Sequence, residues 1–338
     1  MDEQIYNKYK LAGRIAADAR DFGVGLIKPG VSFLSVAEGV ESFIREKGAG
    51  IAFPVNISIN EVAAHFSPRH DDAHVFREGD VVKLDVGSHI DGFIADTAVT
   101  VEIGSNIYES MVDASSKALD NAISHLKPGV SLSDIGMIVE DTITSYGFRP
   151  IDNLSGHSLD QYVLHSGISV PSISNTSSKI IAKVDDVLAI EPFATDGAGH
   201  VKSGFGSNIF LYNEMLRSRI IRDNKLKSAF FTIQKHFNSL PFAQRWCHKQ
   251  ISENIDPMLR KLSLLKLLKH YPQLIDAKNG VVTQKEHTVI VTHDGCEVIT
   301  CGGPVRPCSG AGGVELGAAG CQDCREPGRL PEPAGGPY

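Results

Sequence analysis

The stretch DVVKLDVGSHIDGFIADT, Asp80 to Thr97, decides how the rest of the chain is read. Val81-Val82-Lys83-Leu84 alternates as a strand and ends in Asp85. Gly87 to Gly92 supply turn residues, and Phe93-Ile94-Ala95 returns as a second strand carrying Asp96. Such a hairpin brings two carboxylates from facing strands to one point. Buried anions repel unless a proton or a cation intervenes, and hard divalent cations prefer carboxylate oxygen. The pair therefore reads as half of a metal site. The plainer reading is two solvated turn aspartates, and the rest of the chain decides between them.

Working outward, KPGVSFLSVAEGVESFIREKG (28–48) recurs as KPGVSLSDIGMIVEDTITSYG (127–147), with nine of 21 positions identical. Each copy follows a segment of helical spacing (4–22 and 108–126). In the first copy, Ser32 or Ser35 can cap a helix that Gly48 ends. A second echo pairs Asp80-Val-Val-Lys-Leu-Asp85 with Asp186-Val-Leu-Ala-Ile-Glu191, each a strand pattern ending in a carboxylate. The chain thus reads as two similar helix-plus-strands halves, with a site on the pseudo-two-fold axis.

The second half adds His157, after Gly156 in an expected turn, and His165, beyond strand-like Gln161 to Leu164. Glu191 precedes Pro192, where a strand should stop. The piece 280–292 returns to strand and contains Glu286, with another strand-like piece at 296–301.

Composition is that of a globular protein, 42% hydrophobic and 22% charged, with no apolar run of membrane-spanning length and a charged rather than signal-like start. A cytoplasmic protein without a membrane partner is expected. The net charge of −7 hides an asymmetry: residues 214–279 carry thirteen Lys/Arg against five acids, so the body is strongly acidic. We read 213–279 as a helical basic insert subdomain, and 1–212 with 280–301 as the main domain. The Gly/Pro-rich tail, 302–338, reads as disordered. Cys301, Cys308, Cys321 and Cys324 are a candidate thiolate zinc set, although only one C-x-x-C is present.

Together the Asp85/Asp96 hairpin, Gly156-His157, Glu191-Pro-Phe and Gln284-Lys-Glu286-His-Thr resemble the methionine aminopeptidases, as do Phe53-Pro54 and Asn60-Glu-Val-Ala-Ala-His65. The long Glu191-to-Glu286 connection is similar to the type 2 subfamily, and the short N-terminal lead to its archaeal members. The resemblance implies an α+β pseudo-two-fold "pita-bread" fold with a winged-helix-like insert. It implies two divalent metal ions (Co, Mn, Fe or Zn) held by Asp85, Asp96, His157, Glu191 and Glu286. Asp96 and Glu286 would bridge, Asp85 would complete one ion, and His157 with Glu191 the other. It further implies His165 at the scissile carbonyl, His65 at the leaving amide, Glu191 as proton shuttle, and Phe53, Leu164 and Phe193 around the methionine side chain. The expected activity is removal of the N-terminal methionine of nascent polypeptides, favouring a small second residue, by a monomer. The basic insert is expected to dock on ribosomal RNA.

Two other readings compete. A proline-specific peptidase can share all five ligands, but those enzymes usually carry a separate N-terminal domain of more than a hundred residues. A catalytically dead binding relative would lose ligands that this chain keeps.

Overall fold

The computed structural model describes residues 1–174, 179–213 and 221–301. The expectations for the tail and for Cys308, Cys321 and Cys324 lie outside the described residues.

The KPGVS segments fold alike because the same polar groups close the same turns. In the first half, α1 (Glu3–Leu26) is followed by α2 (Phe33–Glu46), whose cap Ser32 accepts from the Ser35 amide at 3.1 Å. Strands β1 (Gly50–Ile51), β2 (Asn56–Ile59), β3 (Val62–Ala64), β4 (Val81–Ile90) and β5 (Phe93–Glu102) follow. In the second half, α3 (Glu109–His125) precedes α4 (Leu132–Ser145), fourteen residues long like α2 and capped by Ser131. Then come β6 (Arg149–Pro150), β7 (Ser155–Ser158), β8 (Ser169–Pro171), β9 (Val187–Ile190), β10 (Phe193–Thr195) and β11 (Val201–Ser203).

The equivalence extends to single hydrogen bonds. The Gly30 amide donates to the Phe76 carbonyl at 2.8 Å, as Gly129 donates to Ala182 at 2.9 Å. The Asp80 carboxylate accepts from the Arg77 amide at 2.8 Å, as Asp186 accepts from Lys183 at 2.8 Å. Each half has its own apolar cluster, one around α1, α2 and β4, the other around α3, α4 and β9.

In the β4–β5 hairpin the turn is tighter than the sequence reading. Only Asp91 (φ 51°) and Gly92 (φ 88°) form it, both left-handed as a two-residue connection of type I′ requires. Gly87 and His89 are therefore strand residues, and both strands run for ten residues. Asp85 lies opposite Ala98, and Asp96 opposite Gly87, which makes the two aspartates diagonal neighbours on one face.

After β11 the chain passes through β12 (Ile209–Tyr212), α5 (Asn224–Phe237), β13 (Phe242–Ala243), α6 (Gln244–Gln250), α7 (Asp256–Leu264) and β14 (Leu268–His270). The segment read as helical thus also carries strands: β13, β12 and β14 form an antiparallel sheet that begins with β12, before residue 213. Phe230, Ile233, Phe242, Leu259 and Leu262 belong to its own buried cluster. Arg245 anchors it to the first half. Its guanidinium pairs with buried Glu41 of α2 and donates to the Pro68 carbonyl at 2.8 Å, while the Trp246 indole donates to Glu41 at 2.7 Å.

The chain then returns as β15 (Leu274–Asp276), β16 (Val282–Gln284), β17 (His287–Val291) and β18 (Cys296–Val298). β17 pairs with β9 of the second half, while Ala98 of β5 bridges Glu286, just before β17. Three threonines lock this seam between halves. Thr97 donates to the Glu286 carbonyl at 2.9 Å, Thr100 to the Gln284 carbonyl at 2.7 Å, and Thr288 to the Asp96 carbonyl at 2.8 Å. Among the described residues no helix is long and apolar enough to cross a membrane.

Candidate active site

The seam brings acidic side chains from both halves to one cavity of about 60 Å³. β4 contributes Asp85, β5 Asp96, β7 His157, and the residue after β9 is Glu191; Glu286 fills the break between β16 and β17. Gly156 lets β7 approach: a Cβ there would stand 2.2 Å from the Ala189 carbonyl oxygen of β9. His157 is accordingly a strand residue rather than the turn residue expected from Gly156, and Gln161 to Leu164 form no strand.

Ligand atoms of Asp96, His157 and Glu286 all lie within 4.8 Å of one another. His157 Nε2 is 3.7 Å from Asp96 Oδ2 and 3.9 Å from Glu191 Oε1. The Gln284 amide stands between Glu191 and Glu286, 3.4 Å from an oxygen of each. Asp85 and Asp96 face each other closely enough to repel as anions unless a proton or a cation intervenes.

Four carboxylates packed this way are costly as anions. Burial pushes Asp85 up to about 7. Burial, and then repulsion from the neighbouring carboxylates, holds Asp96, Glu191 and Glu286 well above the usual range. Burial also lowers His157 to about 3, so its imidazole is neutral at pH 7. Asp85 Oδ1 and Asp96 Oδ1 are buried with no hydrogen-bond donor. An oxygen-rich set with one neutral nitrogen and orphaned lone pairs fits hard or borderline divalent cations.

Around this floor stand Phe53, His65, Leu164 and His165. His65, the residue after β3, is held at φ 65°, a strained position for a histidine, and burial lowers its pKa to about 4. The His165 ring lies 4.3 Å from that of His157. One side of it remains open, yet desolvation by its neighbours and then the Lys269 charge lower its pKa. Gly87 gives Phe53 its place, since a Cβ on Gly87 would meet that ring at 2.1 Å. Phe193, expected beside Phe53, instead packs in a separate core with Ala63, Ile151, Val201 and Val282. Its position in β10, past the Pro192 break, aims it away from the cavity.

Asn56, Tyr271, Ile209 and Pro241 also line the cavity and were not singled out by sequence. Asn56 is in register with Asp85 across β2 and β4, a relation visible only once strands are paired. Tyr271 and Pro241 come from the segment between the last two acidic residues, too far along the chain for spacing to reveal them.

Neutral imidazoles above a buried carboxylate–histidine floor define a metal-dependent hydrolytic enzyme. The chain belongs to metallopeptidase family M24, whose sequence profile matches residues 7–293. It is 45% identical over 300 residues to a methionine aminopeptidase of Methanocaldococcus jannaschii, covering 89% of this chain and all of that relative. Two solved structures share the fold. A methionine aminopeptidase of Thermotoga maritima has a TM-score of 0.65 at 22% identity, covering 89% of this chain and 98% of that one. A thermophilic Arx1 has a TM-score of 0.79 at 16% identity, covering 91% and 93% respectively. The pseudo-symmetric α+β architecture is thus the pita-bread fold.

Proposed function

We propose that this chain is a methionyl aminopeptidase. It removes the N-terminal methionine of nascent polypeptides in the cytoplasm, favours a small second residue, and acts as a monomer. The observation that carries this reading is the convergence of four carboxylates and a neutral imidazole in a chain so similar to the M. jannaschii enzyme along its whole length.

In this reading Asp85, Asp96, His157, Glu191 and Glu286 would hold two divalent ions; Mn, Fe, Co and Zn all suit such donors. The chemistry such ions would supply is charge compensation for the carboxylates and a water whose pKa is lowered towards neutrality. The chain's own groups do the rest. His165, neutral, donates a hydrogen bond to the scissile carbonyl oxygen, and His65 faces the leaving amide nitrogen. Glu191 carries the proton from water to that nitrogen. Phe53 and Leu164 supply apolar contact for the methionine side chain, with the ring face suited to sulfur. The basic segment supports a contact with ribosomal RNA, since Lys225, Lys235 and Lys266 are exposed.

The test is release of methionine from Met-Ala-Ser by chelator-stripped protein given back Mn(II), Fe(II) or Co(II). Release should require metal and fall by at least about a thousandfold in Asp96→Ala. Folded protein that releases nothing with any metal would remove the enzymatic reading.

A further inference from the structure

Outside the inner cavity lies a second, wider one of about 580 Å³. Both are lined by His65, Leu164, His165, Pro241 and Tyr271, so the outer space opens directly onto the inner. Their chemistry is opposite. The inner wall holds four carboxylates. The outer wall, among the described residues, holds none, and its one permanently charged side chain is Lys269.

Lys269 lies on β14 and is exposed. Its ammonium sits 4.8 Å from the centroid of the Tyr271 ring, a cation–π contact that fixes a side chain otherwise free to swing. The Tyr271 ring is in turn 5.2 Å from the His65 imidazole. The ammonium is therefore at most about 10 Å from His65. Among the described residues no carboxylate lies within ion-pairing distance of it. A cation at the entrance to an acidic site, held by a ring and ion-paired with no carboxylate among the described residues, is placed to meet an anion on whatever enters.

What enters, on the reading above, is an extended peptide whose first amide lies beside His65. Extended chain advances about 3.3 Å per residue, so 10 Å corresponds to roughly three residues. We propose that Lys269 is a specificity residue that favours Asp or Glu at the third or fourth position of the substrate and disfavours Lys or Arg there. The inference rests on the aminopeptidase reading, because it needs a peptide threaded from the outer cavity to the inner.

The experiment compares Met-Ala-Glu-Ser-amide with Met-Ala-Lys-Ser-amide, and Met-Ala-Ser-Glu-amide with Met-Ala-Ser-Lys-amide, using the Mn(II)-loaded protein. Amidation removes the terminal carboxylate as a rival anion. In the unsubstituted protein the acidic member of at least one pair should have the higher kcat/KM by about 3- to 10-fold, mostly through KM, and salt should shrink the ratio. Lys269→Ala should bring that ratio to about one, Lys269→Glu should invert it, and Lys269→Arg should restore it. The ratio is internal to each protein, so a general loss of activity in a variant leaves it readable. Ratios near one in the unsubstituted protein, or a preference that persists in Lys269→Ala, overturn the proposal. If Met-Ala-Ser-amide is cleaved in that case, the aminopeptidase reading stands. If no peptide is cleaved, both fall.

Discussion

Gln284 shows how much of a site depends on residues that carry no charge. Its amide spans Glu191 and Glu286, 3.4 Å from each, and its backbone amide donates to Thr100 Oγ1 at 2.7 Å. The donor holds two like charges in the orientation a cation needs. We predict that Gln284→Leu, close in volume but without a donor, weakens Mn(II) affinity by about 10- to 100-fold in calorimetric titration. Unchanged affinity would mean that Gln284 only fills space. Strand patterns ending in a carboxylate pointed to Asp85, Asp96 and Glu191, whereas His157 and Glu286 joined the set only through the motifs that resemble the methionine aminopeptidases. Gln284 lay in a quoted motif but suggested no role, since nothing in one dimension shows that two glutamates 95 positions apart share one amide. Phe193 failed for a related reason: an aromatic two residues after a candidate ligand has even chances of facing either way.

At the scale of elements, the helices followed from apolar spacing and caps, and both KPGVS segments fold as twins. The hairpin was right in kind but short in extent, because Gly87 reads as a turn former and here is required for close approach to Phe53. The basic segment read as helical because its strands, β13 and β14, have only two and three residues. Its exposed cations are unevenly free. Lys261 faces Asp223 at 3.6 Å, and Lys269 turns to the outer cavity, whereas Lys225, Lys235 and Lys266 are open to solvent. Reversing those three to Glu should weaken co-sedimentation with ribosomes at low salt by at least about tenfold, because phosphate contacts dominate such binding. Undiminished co-sedimentation would exclude this face as the docking surface.

For the whole molecule, the acidic floor ties stability to metal and pH. The folded pKa values of Asp85, Asp96, Glu191 and Glu286 are raised, so in metal-stripped protein the folded state keeps protons that the unfolded chain has released. Stability from these groups is fully present below their ordinary pKa, near 4. It is lost as pH rises through the raised folded values, about 7 for Asp85 and well above the ordinary carboxylate range for the other three. The lowered values of His65 and His157 act oppositely, but only below about 6.5, where the unfolded histidines charge. Scanning calorimetry of chelator-treated protein should therefore show Tm falling from pH 6.5 to 8, with Mn(II) restoring more of it at pH 8 than at 6.5. A Tm that rises over that range without metal would contradict the packing of carboxylates described here.

The seam between halves also sets an order in time. The acidic and histidine side chains of the site run from residue 85 to residue 286, and the last of them sits in the strand break that bridges Ala98. At about 5–20 residues per second of synthesis, roughly 10–40 s separate the first from the last. Until Glu286 emerges, the growing chain presents an incomplete acidic cleft with nothing to close it. Completion of the acidic site thus coincides with the meeting of both ends of the fold.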